Sequence, residues 1–172
     1  MSPAKRHQIR RALPSDAENL LGCLQSLDQE SQFLLLEPDE RDANIDTQRQ
    51  LLEQLSEAPR NILLVADTGD EIVGYLGAKG GAYRRNRHVL ASLSLAVLEN
   101  YQRAGVGRSL MVNAIRWARA EGFHRIEFTV HGENRGAINL YLALGFQVEG
   151  TRRDSLNIEG KFYDELWMSK IL

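Results

Sequence analysis

The stretch that decides the fold is Tyr101-Gln102-Arg103-Ala104-Gly105-Val106-Gly107-Arg108. It lies between an alternating apolar segment at His88–Leu98 and an amphipathic segment that predicts a helix from about Gly105 to Glu121. A glycine-rich turn that opens a helix presents unpaired backbone N–H groups at the positive end of the helix dipole, and glycines let a phosphate approach the main chain. The stretch therefore indicates an anion cradle, although two glycines alone leave an ordinary strand-to-helix turn equally open.

Other kinds of site lack their motifs in this chain. The Gly-Lys-Ser/Thr of a P-loop does not follow the glycines, and no strand-GxGxxG-helix unit with a trailing acidic residue marks a dinucleotide fold. No Gly-x-Ser-x-Gly elbow is present. We expect no metal site, because the histidines are scattered without a second ligand at metal spacing and Cys23 is the single cysteine. Those histidines are His7, His88, His124 and His131.

The segments on either side of the stretch predict an α+β fold. The predicted order is a strand, two helices, three strands, a helix, a strand, a helix and two strands, which mixes hairpins with crossover units. The strands are predicted at Gln8–Ala12, Asn61–Ala66, Glu71–Ala78, His88–Leu98, Arg125–His131, Phe146–Val148 and Phe162–Met168. The helices are predicted after a cap at Ser15 or Asp16, at Asp46–Glu57, at about Gly105–Glu121, and from a cap at Asn134 to Leu144.

The segment His88–Leu98 alternates with a period of two, which is typical of a strand. Its apolar face is predicted to comprise Val89, Ala91, Leu93, Leu95 and Val97, and its small, partly polar face His88, Leu90, Ser92, Ser94 and Ala96.

Composition and charge limit the classes of partner and the compartment. The length suits one domain over residues 1–172, and the net charge of −2 arises from 21 basic and 23 acidic residues mixed along the chain, so neither nucleic acid nor a membrane is expected as a partner. The first residues, MSPAKRHQIR, carry no apolar targeting segment, and one cysteine forms no internal disulfide. We therefore expect a cytoplasmic protein. Cys23 lies among leucines on a predicted helix, which favours a packing role.

Two matched segments carry a family resemblance. Gln102-x-x-Gly105-x-Gly107 resembles the acetyl-CoA pyrophosphate loop of the GCN5-related N-acetyltransferase (GNAT) superfamily, and Asn134-x-x-Ala137-x-x-Leu140-Tyr141-x-x-Leu144-Gly145-Phe146 resembles its later helix at a fitting distance. The likeness runs from about Asn61 onward and includes the closing Gly160–Asp164 hairpin of small bacterial members. It implies a central, mostly antiparallel, twisted and splayed sheet of about seven strands flanked by about four helices.

The resemblance implies an acetyl-CoA-dependent N-acetyltransferase that moves an acetyl group to a primary amine by direct attack in a ternary complex. Backbone amides from Gln102 to Arg108 would hold the pyrophosphate, and Leu95–Val97 would pair with the pantetheine arm as an added strand. A backbone N–H near Val97 would stabilise the oxyanion, and Tyr141 would protonate the departing thiolate. The implied cofactor-binding residues are Leu95, Ala96, Val97, Gln102, Arg103, Ala104, Gly105, Val106, Gly107, Arg108, Asn134, Ala137 and Tyr141.

The general base is the open part of this assignment. Ser92 stands where many relatives carry a glutamate; it is the second catalytic candidate beside Tyr141, but serine is a poor base. Glu127, His131 and His88 are alternatives on the less apolar faces of neighbouring strands, where a solvated or structural role is equally open.

We expect the acceptor near the loop Phe33–Arg41 and the closing hairpin Arg152–Tyr163. An acidic cluster at Glu37, Asp39, Glu40 and Asp42 could attract a cationic amine, and Arg84, Arg85 and Arg87 could bind the CoA 3′-phosphate or an acidic acceptor; both are also ordinary solvated loops.

Three functions stay open from the sequence. The first is a metabolite N-acetyltransferase, the second an acyl-CoA-binding sensor that has lost catalysis, and the third an acetyltransferase for a protein α-amine such as a ribosomal-protein N-terminus. A homodimer formed through a terminal strand is a further possibility.

Overall fold

The computed structural model describes residues 7–172, and the predicted lack of a targeting segment falls mainly on residues 1–6, which lie outside the described residues. Seven strands and four α-helices are present in the described part, so the α+β prediction is confirmed. The strands are β1 (Gln8–Arg11), β2 (Asn61–Asp67), β3 (Ile72–Gly80), β4 (Val89–Val97), β5 (Arg125–His131), β6 (Gln147–Ile158) and β7 (Lys161–Ile171). The helices are α1 (Ala17–Glu30), α2 (Ile45–Glu57), α3 (Val106–Ala120) and α4 (Arg135–Ala143), with 3-10 turns at Pro14–Asp16 and Glu99–Tyr101.

The strands follow the order β1-β2-β3-β4-β5-β7-β6 in a mixed sheet. The pairs β1–β2, β5–β7 and β6–β7 are antiparallel, whereas β4 and β5 are parallel. In the described residues the register of β4 with β5 contains two pairs, Val89 with Arg125 and Leu90 with Ile126. Pairing that ends after two residues in strands of nine and seven residues fits the predicted splay of the sheet.

The chain divides into two compact units. The first unit comprises the described residues up to Gly77 together with Ser94–Ala114, and the second comprises Ala78–Leu93 together with Ile115–Leu172. That they form one domain over residues 1–172 stays a prediction. No helix within residues 7–172 is long and apolar enough to cross a membrane.

The core of the first unit is built on the leucine face of α1. Leucines at helical spacing bury against β2, β3 and α2, and each fully buried leucine contributes about 1.5–3 kcal/mol. Cys23 is in this cluster, and burial raises the pKa of its thiol to about 12, so the predicted packing role is confirmed. The cluster contains Ala17, Leu20, Cys23, Leu24, Leu27, Leu52, Val65, Ile72 and Ala96.

The predicted cap of α1 is wrong in its chemistry. The chain makes a 3-10 turn at Pro14–Asp16 before α1 begins at Ala17, and Asp16 makes no side-chain cap bond to this helix. Its carboxylate instead accepts two hydrogen bonds from Arg10, at 2.7 and 2.8 Å, and one from the Leu13 N–H. Arg10 also donates to Asp67 at 2.8 Å, so one arginine ties the ends of β1 and β2 to the start of α1.

The closing hairpin of the second unit is longer than predicted. β6 extends to Ile158 instead of ending at Val148, and β7 begins at Lys161. The two strands meet at Glu159-Gly160, which both have positive φ (51° and 83°), the conformation of a two-residue type I′ turn. Most of β6 is exposed on both faces, so its apolar alternation is weak and its length could not be predicted from hydrophobic periodicity.

Candidate functional site

The glycine-rich turn adopts the conformation expected of an anion cradle. Residues 102–105 form a turn after the 3-10 segment, and α3 begins at Val106. Arg103 and Gly105 have positive φ values of 58° and 85°, and both are exposed. The Ser109 N–H donates to the Gly105 carbonyl at 2.9 Å, so the amides before Ser109 belong to the helix end that lacks intrahelical partners. Unpartnered amides at the start of a helix, at the positive end of its dipole, suit a phosphate.

Three hydrogen bonds hold this turn within the first unit. The Tyr101 hydroxyl donates to the Glu71 carboxylate, and the Glu99 N–H donates to Glu30 Oε2 at 2.8 Å. The Gln102 side chain donates through Nε2 to the Val97 carbonyl at 3.0 Å. Gln102 therefore joins the turn to the end of β4. The contacts of Glu30 and Glu71 with this turn were not predicted, because both residues are distant from it in the sequence.

The end of β4 lies tightly against β3. A Cβ placed on Gly74 would come within 2.9 Å of the Ala96 carbonyl oxygen, so this position requires glycine. The Leu98 N–H donates to the Val73 carbonyl at 3.0 Å. Of the segment predicted to pair with pantetheine, Ala96 and Val97 are buried and Leu95 is half-buried.

Ser92 interrupts the regular alternation predicted for β4. Its φ is 52°, a left-handed conformation that costs a serine about 1–2 kcal/mol relative to glycine. Leu90 and Leu93, on either side of Ser92, are both buried. Ser92 is exposed, and its hydroxyl makes no hydrogen bond with any residue in 7–172.

Helix α4 of the second unit is capped by Asn134 and carries Tyr141 near its end. Asn134 Oδ1 accepts a hydrogen bond from the Ala137 N–H at 3.1 Å, so the predicted cap is confirmed and Asn134 and Ala137 are brought together. One turn further, the Tyr141 ring packs edge-on against Phe128 at 4.6 Å between centroids and against Phe146 at 6.0 Å.

Tyr141 has a buried ring and a hydroxyl that donates no hydrogen bond within residues 7–172. The residue is 4% exposed, and burial raises the pKa of the phenol well above its ordinary value. Within residues 7–172 the hydroxyl has no hydrogen-bond partner, yet it is not among the fully buried polar atoms. It is therefore a protonated donor at neutral pH that no group within residues 7–172 engages.

The alternative bases are each engaged or solvated in the second unit. Glu127 accepts from Arg125 Nε at 2.6 Å, which is an ion pair. His131 is buried, and its Nδ1 accepts the Glu133 N–H at 3.1 Å, a bond that needs this nitrogen unprotonated. His88 is exposed. Within the described residues no group of three or more His, Cys, Asp or Glu side chains could hold a metal ion.

Comparison with known proteins agrees with this geometry. A family model described as "Acetyltransferase (GNAT) family" matches residues 24–146. The chain is 31% identical over 123 residues to the L-amino acid N-acetyltransferase AaaT of Escherichia coli K12, which covers 69% of this chain and 74% of that protein. The structure of this chain is similar to that of a GNAT-family acetyltransferase from Streptococcus pneumoniae. The TM-score is 0.92 at 30% identity, and the match covers 97% of this chain and 100% of the other. It also shares its fold with YncA from Salmonella typhimurium, a structure with the cofactor acetyl-CoA, at a TM-score of 0.84, 21% identity, and 97% and 94% coverage.

The fold is that of a GNAT-family acetyltransferase. The chain belongs to the GNAT family and is an N-acetyltransferase.

Proposed function

We propose that this enzyme transfers an acetyl group from acetyl-CoA to the α-amine of an amino acid by direct attack in a ternary complex. The observation that carries the cofactor assignment is the exposed turn at 102–105, with its two positive φ values at the N-terminus of α3. The amino-acid acceptor is supported by the similarity to AaaT. The direct route is supported by the buried, high-pKa state of the lone cysteine, which leaves no thiol nucleophile for a covalent intermediate.

The residues at the turn fit the pyrophosphate of acetyl-CoA. A Cβ on Gly105 would meet no atom within 4 Å, so no neighbouring group crowds the turn at this residue. The amides from Gln102 to Arg108 would bind the phosphate oxygens, and main-chain groups of Leu95–Val97 would bind the pantetheine arm. When bound, acetyl-CoA supplies the activated acetyl group.

Tyr141 has the properties of a hydrogen-bond donor to the departing thiolate. A phenol whose pKa exceeds 10 is a weaker acid than a thiol, whose pKa is near 8.5. Complete proton transfer from Tyr141 therefore runs uphill, and its main contribution is a strong hydrogen bond to the sulfur as negative charge develops. We propose that role for Tyr141.

Ser92 fits a water relay better than a general base. Its hydroxyl is exposed and without a protein partner in the described residues, and a serine does not hold a proton removed from an ammonium. The acceptor amine would lose its proton to water, with Ser92 positioning one water molecule.

The test is to incubate the purified protein with acetyl-CoA and a panel of L-amino acids, polyamines, aminoglycosides and short peptides, and to follow thiol release against a control without acceptor. We expect release with amino acids. Isothermal titration with acetyl-CoA runs in parallel, since cofactor binding without release from any acceptor indicates a sensor, and no binding contradicts the cofactor assignment. A preference for peptides indicates a protein N-terminus as the acceptor.

Tyr141→Phe tests whether the Tyr141 hydroxyl acts in the chemical step or in the binding of acetyl-CoA. We expect acetyl-CoA to bind the variant with an unchanged Kd and turnover to fall about 10²-fold, in the range of single acid–base or oxyanion groups. Unchanged turnover would remove Tyr141 from the chemical step.

A further inference from the structure

Four polar side chains of the first unit form a group that the cofactor assignment does not use. They are Asp28 on α1, Arg41 in the segment that connects α1 to α2, Tyr75 on β3 and Ser94 on β4, and we call them the Arg41 cluster. The Tyr75 ring packs against the α1 core cluster, as does Leu34 from the same connecting segment as Arg41. The cluster therefore lies where this segment meets α1 and β3.

Arg41 and Asp28 form a bidentate ion pair in which the acid is enclosed and the base reaches the surface. Arg41 donates from Nε to Asp28 Oδ2 and from Nη2 to Oδ1 at 2.8 Å. The Asp28 side chain is 1% exposed, whereas that of Arg41 is 16% exposed. The carboxylate raises the pKa of the guanidinium, so Arg41 stays charged. Asp28 therefore fixes the position of Arg41 and is itself too enclosed to contact a ligand.

The outward groups of Arg41 are unused N–H donors. A guanidinium carries five N–H groups, and two are spent on Asp28. The other three have no partner within residues 7–172, and Nη1 is not a fully buried atom. A fork of fixed N–H groups that is held from behind by a carboxylate is the geometry that recognises a second planar anion.

Tyr75 and Ser94 add one more donor. Their hydroxyls lie 3.0 Å apart, and either can donate to the other. Two hydroxyls that share one hydrogen bond leave one proton over, and Ser94 is exposed. The charges of Arg41 and Asp28 both act on the Tyr75 hydroxyl, which is consistent with a common location.

We propose that the Arg41 cluster binds the carboxylate of the amino-acid acceptor, with the unused N–H groups of Arg41 and the spare hydroxyl proton of the Tyr75–Ser94 pair as donors. The proposal rests on the proposed function and deepens it, because it makes the acceptor's carboxylate a requirement. The cluster would fix the acceptor by its non-reacting end, which leaves the amine free to attack.

The surrounding charges favour a zwitterion over a more highly charged anion. Arg41 is flanked by Glu37, Asp39, Glu40 and Asp42, all exposed. These carboxylates repel a phosphate dianion, whereas they attract the ammonium group of an amino acid as strongly as they repel its carboxylate. An amino acid is the ligand that satisfies both the donors of Arg41 and its acidic neighbours.

The experiment compares matched acceptors that differ in the carboxylate. The probes are L-phenylalanine, L-phenylalaninamide and phenethylamine, with equivalent sets for the best amino acids of the panel, and the readouts are thiol release and calorimetric binding to CoA-saturated protein. We expect wild-type kcat/KM for the acid to exceed that for the amide by at least tenfold. Arg41→Lys should raise KM for the acid at least tenfold and should raise KM for the amide much less, because lysine loses the planar fork that matches a carboxylate.

Further variants separate recognition from folding. Ser94→Ala should raise KM for the acid about threefold to tenfold, the range of one hydrogen bond. Arg49→Lys is the control, since Arg49 forms an exposed ion pair with Asp46 on α2, and it should change no constant. Thermal unfolding of Arg41→Lys checks that the connecting segment is retained.

Three results would overturn the inference. These are equal use of acid and amide by the wild type, equal losses on both by Arg41→Lys, and no binding of any L-amino acid to CoA-saturated protein. The proposed function fails separately, if acetyl-CoA does not bind or if no amine releases thiol.

Discussion

Removal of the Tyr101 hydroxyl should weaken acetyl-CoA binding although this group is not assigned to the cofactor. The side chain is buried at the start of the glycine-rich turn, and its hydroxyl donates to the Glu71 carboxylate just before β3. A hydrogen bond to a charged group contributes about 1.5–3 kcal/mol when enclosed, and Glu71 is exposed, so about 1 kcal/mol is the appropriate value here. The turn carries the amides that we propose to bind acetyl-CoA, so we expect part of this energy to hold the turn in its binding conformation.

If half or more of that energy orders the turn, Tyr101→Phe should raise the acetyl-CoA Kd about twofold to fivefold, since about 1.4 kcal/mol corresponds to a factor of ten. Glu71→Gln keeps a neutral acceptor and should give a smaller rise. Isothermal titration measures the affinity, and urea unfolding measures the free energy of unfolding. The double variant tests the pair, because a single shared hydrogen bond predicts that the two effects are not additive.

Tyr83→Phe is the matched control, because Tyr83 lies 78% exposed in the β3–β4 loop and its hydroxyl makes no hydrogen bond within residues 7–172. It should change neither quantity. A Tyr101→Phe protein with lower stability but wild-type acetyl-CoA affinity would refute the reasoning, since the bond would then stabilise the unit without positioning the turn.

Three further predictions concern single features of the fold. Arg10 lowers the pKa of Asp16, and the Gly69 N–H together with Arg10 lowers that of Asp67. Because both folded-state pKa values lie below the unfolded value near 3.9, the stabilisation by these carboxylates is complete above about pH 4 and is lost as the pH falls through the folded-state values. Arg10→Met should therefore reduce the loss of unfolding free energy, measured in urea, over this acid range. Gly105→Ala should lose about 1–2 kcal/mol of stability and several-fold in acetyl-CoA affinity through strain at φ 85°, since no atom obstructs the Cβ, and wild-type values in both assays would contradict it. Ser92→Gly should gain about 0.5–1 kcal/mol in urea unfolding because glycine adopts φ 52° without cost, and a loss would mean that the hydroxyl stabilises the strand.

Features set by local sequence were predictable, and features set by long-range contacts were not. The leucine face of α1, the bounds of β5 and the Asn134 cap all follow from residues within a few positions of one another, and each is confirmed. The glycine-rich turn was placed correctly between strand and helix for the same reason.

The misses have physical causes of two kinds. Asp16 was expected to cap α1, but Arg10 offers its carboxylate a stronger, charged partner. The contact of Glu71 with Tyr101 and the pairing of Arg41 with Asp28 were also not predicted, because the partners are distant in the sequence. Tyr101 is 30 residues from Glu71. The left-handed backbone of Ser92 had no local signal, because serine is not a residue that favours positive φ.

A serine at position 92 has a consequence for the choice of acceptor. If no carboxylate acts as the base, the rate depends on the fraction of amine that is already neutral. An α-amine with a pKa near 7.8 is neutral about 300 times more often at pH 7 than a lysine amine with a pKa near 10.4. A free amino acid loses part of that advantage, because its own carboxylate stabilises the neighbouring ammonium. An arginine that pairs with the carboxylate neutralises this effect and lowers the pKa of the amine. If Arg41 has that role, its pairing with the carboxylate makes loss of the amine proton to water easier, and this compensates for a serine at the position where the resemblance implies a glutamate.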